Sequence, residues 1–176
     1  MPWTNALYTY ILLSMKLIMS CLILAATGLV PANRGTMSPE SEVFVASSPC
    51  DGIPKWLLSI PENADCELIQ WNLVLRRHPR TNHLGTFALH YTYGMSKPAT
   101  VELMGGGTKG QKEGKWAILK DAANRTVYRL TPDKAGAALS FVKLDDNLLH
   151  LLDPQGRLMI GNAAWSYTLN RKQSLK

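Results

Sequence analysis

The chain has 176 residues, 46% of them hydrophobic and 18% charged, with a formal charge of +6. That is enough for one domain with a real core. The positive balance is mild and spread along the chain, with no RNP or helix-turn-helix pattern, so nucleic acid is not an expected partner.

A hydrophobic run from Leu17 to Val30 follows Lys16 and ends in Val30-Pro31-Ala32. A basic residue, an apolar stretch and small residues before a cleavage point are the layout of a secretory signal. Residues 1–32 are therefore expected to be a signal helix, with the mature chain starting at Asn33. Leu7 to Leu13 add a second apolar stretch upstream, and a start at Met15 would restore the usual order of charge before hydrophobic run. Two other arrangements stay open. One is an uncleaved anchor from about Tyr8 to Val30, which would carry Lys16 near mid-bilayer at roughly 3 kcal/mol. The other is a lipoprotein modified at Cys21. Export places the protein in the periplasm or outside the cell. The membrane enters as a partner only if the signal segment is retained.

Residues 33–48 are rich in Pro, Ser, Glu and Gly and read as a flexible leader. Cys50 and Cys66 are the two cysteines left after cleavage. An even number in an exported chain predicts one disulfide between them, with a soft-metal thiolate pair as the alternative. Between them, Gly52 to Ile60 reads as a short helical turn with Trp56 and Leu57 facing the core, stopped by Pro61.

From Glu67 the pattern is β. Glu67 to Leu75 alternates, with Ile69, Trp71, Leu73 and Leu75 forming one wholly apolar face. Arg76-Arg77-His78-Pro79-Arg80 is the one dense basic cluster. It reads as a solvated turn, with a phosphate or lipid-headgroup contact as its alternative. Residues 78–85 read as a connection. Thr86 to Tyr93 alternates again, aligning Phe87, Leu89, Tyr91 and Tyr93. Further short strands are expected at Thr100–Met104, Lys115–Lys120, Thr126–Leu130, Leu139–Leu144, Leu148–Leu152 and Trp165–Leu169. About eight short strands at even spacing predict an all-β fold, a small antiparallel barrel or half-barrel over residues 49–170, with 171–176 as a tail. Trp71, Phe87, Leu89, Trp116, Tyr128, Phe141, Leu149 and Trp165 are its expected core.

Gly105-Gly106-Gly107-Thr108-Lys109-Gly110 formally matches G-x-G-x-x-G, but it leads into a strand and not a helix, so a mobile hairpin loop is the better account. No Walker pair, G-x-S-x-G elbow or H-E-x-x-H motif is present in the sequence. His90 and His150 fall inside expected strands, and His78 and His83 in a loop. His90, Met95 and Met104 are the candidate ligands for copper, which imidazole and thioether suit; nothing in their spacing demands it. Asp145 and Asp146 read as turn residues. Asn124-Arg125-Thr126 is a glycosylation sequon if the host glycosylates. Gly114-Lys115-Trp116 places a bulky ring at a strand entry, where it would close the end of a barrel; its plainer reading is a core tryptophan after a turn.

The order of these motifs carries a resemblance. Pro49-Cys50 and Cys66 precede an alternating strand. A tyrosine-rich strand, Gly114-Lys115-Trp116, Val127-Tyr128-Arg129-Leu130, Leu148-Leu149-His150-Leu151-Leu152-Asp153 and a Gly156 turn follow. Over about Pro49 to Leu169 this resembles the N-terminal domain of the NlpE family of copper-resistance and envelope-stress lipoproteins. The resemblance implies a lipocalin-like barrel and associates it with copper and with envelope proteins as partners. The leading expectation for function is a non-enzymatic binding or envelope-sensing module, taking a small apolar ligand or an envelope protein. Copper capture is one alternative, and an enzyme with His90 or His150 at the barrel mouth is the other.

Overall fold

A computed structural model describes residues 41–78, 81–100 and 102–173. The signal segment, its cleavage point, Met15, Lys16, Cys21 and the first part of the expected leader lie outside the described residues. So does the end of the tail.

Eight antiparallel strands form a closed barrel in sequence order. They are β1 (Ser41–Pro49), β2 (Leu68–His78), β3 (Thr81–Gly94), β4 (Thr108–Lys120), β5 (Thr126–Pro132), β6 (Leu139–Lys143), β7 (Leu148–Leu151) and β8 (Thr168–Arg171). Each strand pairs with the next, and β8 returns to β1 through Phe44 opposite Arg171 and Val45 opposite Asn170. Every described strand thus has a paired neighbour on both sides, although Thr108–Glu113 of β4 run beyond β5. One helix, α1 (Gly52–Leu58), lies between β1 and β2.

The period-2 alternation fills the barrel. Phe44, Ile69, Trp71, Leu73, Leu75, Phe87, Leu89, Trp116, Tyr128, Leu130, Leu139, Phe141, Leu149, Leu151 and Leu169 form one buried cluster with Leu57 and Leu58 of α1. Trp71 meets Phe141 edge to face, and Trp116 packs on Tyr128 with ring centroids 5.2 Å apart. The buried polar tips are satisfied: Trp71 Nε1 donates to Ser48 Oγ at 2.7 Å, and Tyr91 Oη to the Leu58 carbonyl at 2.7 Å. The expected β-barrel and its core are thus present, with four differences in detail.

First, residues 41–48 are not leader. They are β1, which opens the barrel and carries Glu42, Phe44, Ala46 and Ser48 opposite the apolar face of β2. Second, Arg76, Arg77 and His78 are not a turn but the end of β2, and Thr81–Gly85, expected as a connection, already belong to β3. Third, residues 102–104 form no strand. Leu103 makes a single bridge to Ser96, and a 3-10 turn, Met104–Gly106, follows. The glycine run there is a tight turn with positive φ at Gly105, Gly106 and Gly107, and β4 already starts at Thr108. Fourth, Trp165 is only half-buried and lies before β8. Tyr167 is the buried aromatic of that segment.

At the end of the barrel away from α1, Glu42 accepts bonds from Arg77 at 2.8 Å and Arg171 at 3.2 Å. The Arg77 guanidinium lies 5.3 Å from the Trp116 ring. Trp116, of the Gly114-Lys115-Trp116 run, is a core residue buried beneath these ion pairs. A Cβ on Gly114 would lie 2.2 Å from the Thr131 carbonyl oxygen, so only glycine lets β5 pass.

Two turns share one construction. Asp121 takes the backbone N–H groups of Ala123 and Arg125 and the Arg125 Nε; Asp153 takes those of Gln155 and Arg157 and the Arg157 Nε. Arg125 also reaches the Gly156 carbonyl at 2.7 Å, linking the two turns. Burial alone would raise the Asp153 carboxyl, but the bonds and charge supplied by Arg157, with the Gln155 N–H, outweigh it and hold it below the usual value of 3.8. A carboxyl depressed in the folded state stabilises above its unfolded value and loses that effect as pH falls through the lower folded one. The stability gap between the native protein and Asp153→Asn should therefore be full at neutral pH. It should narrow as urea titrations are repeated below about pH 4. A gap unchanged down to pH 2 would show that the carboxylate charge contributes nothing.

Candidate functional site

The α1 end of the barrel is built by the loop between Cys50 and Cys66. These cysteines form a disulfide with Cα atoms 5.6 Å apart, and the Cys50 N–H bonds to the Glu67 carbonyl at 3.0 Å. Everything between them is a stapled segment. Pro54, Leu57 and Leu58 lie on one helical face and turn inward as a plug. Successive residues turn by about 100° around a helix, so Pro54, Leu57 and Leu58 share a face, whereas Trp56 lies two residues, about 200°, from both Pro54 and Leu58 and points away from it. The expectation that Trp56 faces the core is corrected accordingly: it is 58% exposed.

The helix stops at Ser59, which has φ 60° and is followed by an Ile60 N–H bonded back to the Lys55 carbonyl at 2.8 Å. Lys55 Nζ then donates to the carbonyls of Glu62 at 3.1 Å and Ala64 at 3.0 Å, folding the remaining loop onto the helix. At the other end, the Tyr167 hydroxyl donates to the Asp51 carboxylate. Burial, then this bond and the carboxylate charge, push the Tyr167 phenol far up, so it stays a donor across the accessible pH range.

These contacts surround an open cavity of about 610 Å³ beside Trp56. Asp51, Glu62 and Ser59 supply its polar groups, and Ile60, Pro61 and Ala137 its apolar wall. Ser59 also borders a second hollow of about 400 Å³, where its Oγ accepts a bond from Lys112 Nζ at 3.1 Å. Burial lowers the Lys112 ammonium. The arrangement pairs an exposed ring with hydrogen-bonding groups, of which Asp51 and Ser59 are held by Tyr167 and Lys112, and it suits binding.

The copper candidates do not converge. Met95 and Met104 come together, since the Met104 N–H bonds to the Met95 carbonyl at 2.9 Å, and both line a shallow hollow with Asp65 and Tyr93. His90 is apart from them, exposed on the barrel's outer wall in register with Asn72 and Gln111. Among the described residues no three His, Cys, Asp or Glu side chains gather as a metal site. His150 is held by Thr168 Oγ1 at 2.8 Å and the Met159 carbonyl at 2.9 Å, so both ring nitrogens are engaged in structure. Of the barrel-closing set, Trp71 and Trp116 are interior, Gly114 is the strand-crossing point, and Trp165 is peripheral.

The residues that line the cavity beside Trp56 were not singled out by motif. The one sequence signal near them is that two cysteines bracket a short helical turn. No protein-family model, curated protein or solved structure matches this chain.

Proposed function

We propose that this is an exported, NlpE-like barrel that works as a non-enzymatic binding module, in the periplasm or outside the cell, through its surface rather than its interior. The observation that carries the reading is the filled barrel. Trp71, Phe87, Trp116, Tyr128 and Phe141 pack its lumen, α1 plugs one end, and the Glu42 ion pairs cover the other. The cavities at Trp56, at Lys112, at Met95 and on the outer wall at His90 are open to the outside. Export is supported by the apolar run after Lys16 and by the Cys50–Cys66 bond, which persists in oxidising compartments. The order of motifs shared with the NlpE family fits a barrel of this kind.

Copper capture is the second reading, favoured by the pairing of Met95 with Met104, thioethers that suit copper(I). One titration series separates the two. Palmitate and an anilinonaphthalene sulfonate dye are expected to give no saturable micromolar complex with the protein. Copper(I) is expected to give none that Met95→Leu/Met104→Leu abolishes. A stoichiometric apolar complex that quenches the interior tryptophans would overturn the surface reading. Stoichiometric copper lost in the double variant would put copper capture in its place.

A further inference from the structure

We propose that the cavity beside Trp56 is a glycan site, which stacks a pyranose ring on the Trp56 indole and holds its hydroxyl groups with Asp51, Glu62 and Ser59. The inference rests on the surface-binding reading and names the ligand for one face of it.

The ring is the first argument. Tryptophan is large and apolar, and its exposure at 58% leaves much of that area in water. Trp56 does not sit on a loose loop. It is on a helix whose other face is core, whose end is tied back through Ile60 and Lys55, and whose segment is closed by the Cys50–Cys66 bridge. A rigid exposed aromatic loses little conformational entropy when a flat partner covers it. The C–H face of a pyranose is such a partner.

The polar groups select among flat ligands. Among the described residues Lys55 is the one cation lining the cavity, and its ammonium donates to two carbonyls. Two carboxylates, Asp51 and Glu62, stand against that one ammonium, so the wall is net negative and disfavours phosphate and carboxylate ligands. Carboxylates and a serine hydroxyl do suit donors on neutral ligands, and sugar hydroxyls present several at once. Asp51 is oriented by the Tyr167 hydroxyl, which binds one of its oxygens, Oδ2. A cationic ammonium ligand would also favour carboxylates, but such ligands are held by cages of several rings, and among the described residues one ring lines this cavity. The volume of about 610 Å³ falls within the usual range for small-ligand sites and leaves room for more than one sugar ring.

The test is an NMR titration of the isotopically labelled protein with chitotriose and, separately, maltotriose, reading the indole N–H signals. At least one sugar should shift the Trp56 signal saturably while leaving the Trp71 and Trp116 signals in place. Trp56→Ala should weaken binding at least about tenfold, and Glu62→Gln should weaken it with the fold intact by circular dichroism. Opening the disulfide with a reductant should weaken binding as well. Tetramethylammonium is the third arm. Saturation by it and by neither sugar would overturn the glycan assignment in favour of a cation. Silence in all three arms would also overturn it, and the surface reading would survive as long as palmitate still fails to bind. A sugar that shifts Trp71 or Trp116 instead of Trp56 would overturn both.

Discussion

Trp116→Ala should lower the free energy of unfolding by about 4 kcal/mol, read as a shift in the urea midpoint at unchanged slope. Trp116 is 1% exposed, packs on Tyr128, and takes the Arg77 guanidinium on its ring. Its Nε1 donates to the Arg76 carbonyl at 3.2 Å, so truncation also removes a part-buried hydrogen bond. The seat is shaped for it: a Cβ on Gly85, its cross-strand partner, would lie 2.5 Å from the Trp116 Nε1. No neighbour can collapse into the gap, since β2 and β3 are already paired there. Trp165→Ala is the control. That ring is half-buried outside the barrel, and its loss should cost under about 1 kcal/mol. Equal costs for the two tryptophans would contradict the placement of the indole in the barrel's core.

The contrast shows which parts of the fold were legible in sequence. β2 was plain because Ile69, Trp71, Leu73 and Leu75 are all large and apolar, and the period of two survives any local noise. β1 was hidden for a physical reason. Its inward face is Glu42, Phe44, Ala46 and Ser48, with only one large apolar side chain. Glu42 can face inward because Arg77 and Arg171 meet it, and those partners lie far along the chain. For the same reason the Arg76–Arg80 cluster read as a solvated turn: a single sequence does not reveal that one of its arginines has a carboxylate waiting across the barrel. The candidate site was half legible. The cysteine count pointed to the staple, but the direction of Trp56 depends on which face of a seven-residue helix is buried, and Leu57 and Leu58 outcompete it. The copper set failed to gather because His90 and Met95 are separated along a strand that rises about 3.3 Å per residue.

Removing the staple is the other large effect. Cys50→Ala/Cys66→Ala should destabilise the protein by about 3 kcal/mol, the value for closing a loop of this length in the unfolded chain. The sequence separation is 16 residues, and the bridge spans α1 together with the loop that folds back on it. Reduction of the native protein should give nearly the same shift, because both treatments release the same loop in the unfolded ensemble. Agreement between them matters more than the absolute figure. Cys50 is buried against the core cluster while Cys66 is half-buried, so alanine at Cys50 also removes packing and the variant should fall slightly below the reduced protein. The loss should not be uniform. Hydrogen exchange should quicken first at the α1 amides that hold the plug, Lys55, Ser59 and Ile60, before the β2–β3 pairs respond. The barrel walls keep their own ladders, whereas α1 is short and depends on its buried face and its two tied ends. Unchanged stability and unchanged α1 exchange after reduction would mean that Leu57 and Leu58 alone hold the plug, and that the disulfide contributes nothing to the rigidity of Trp56.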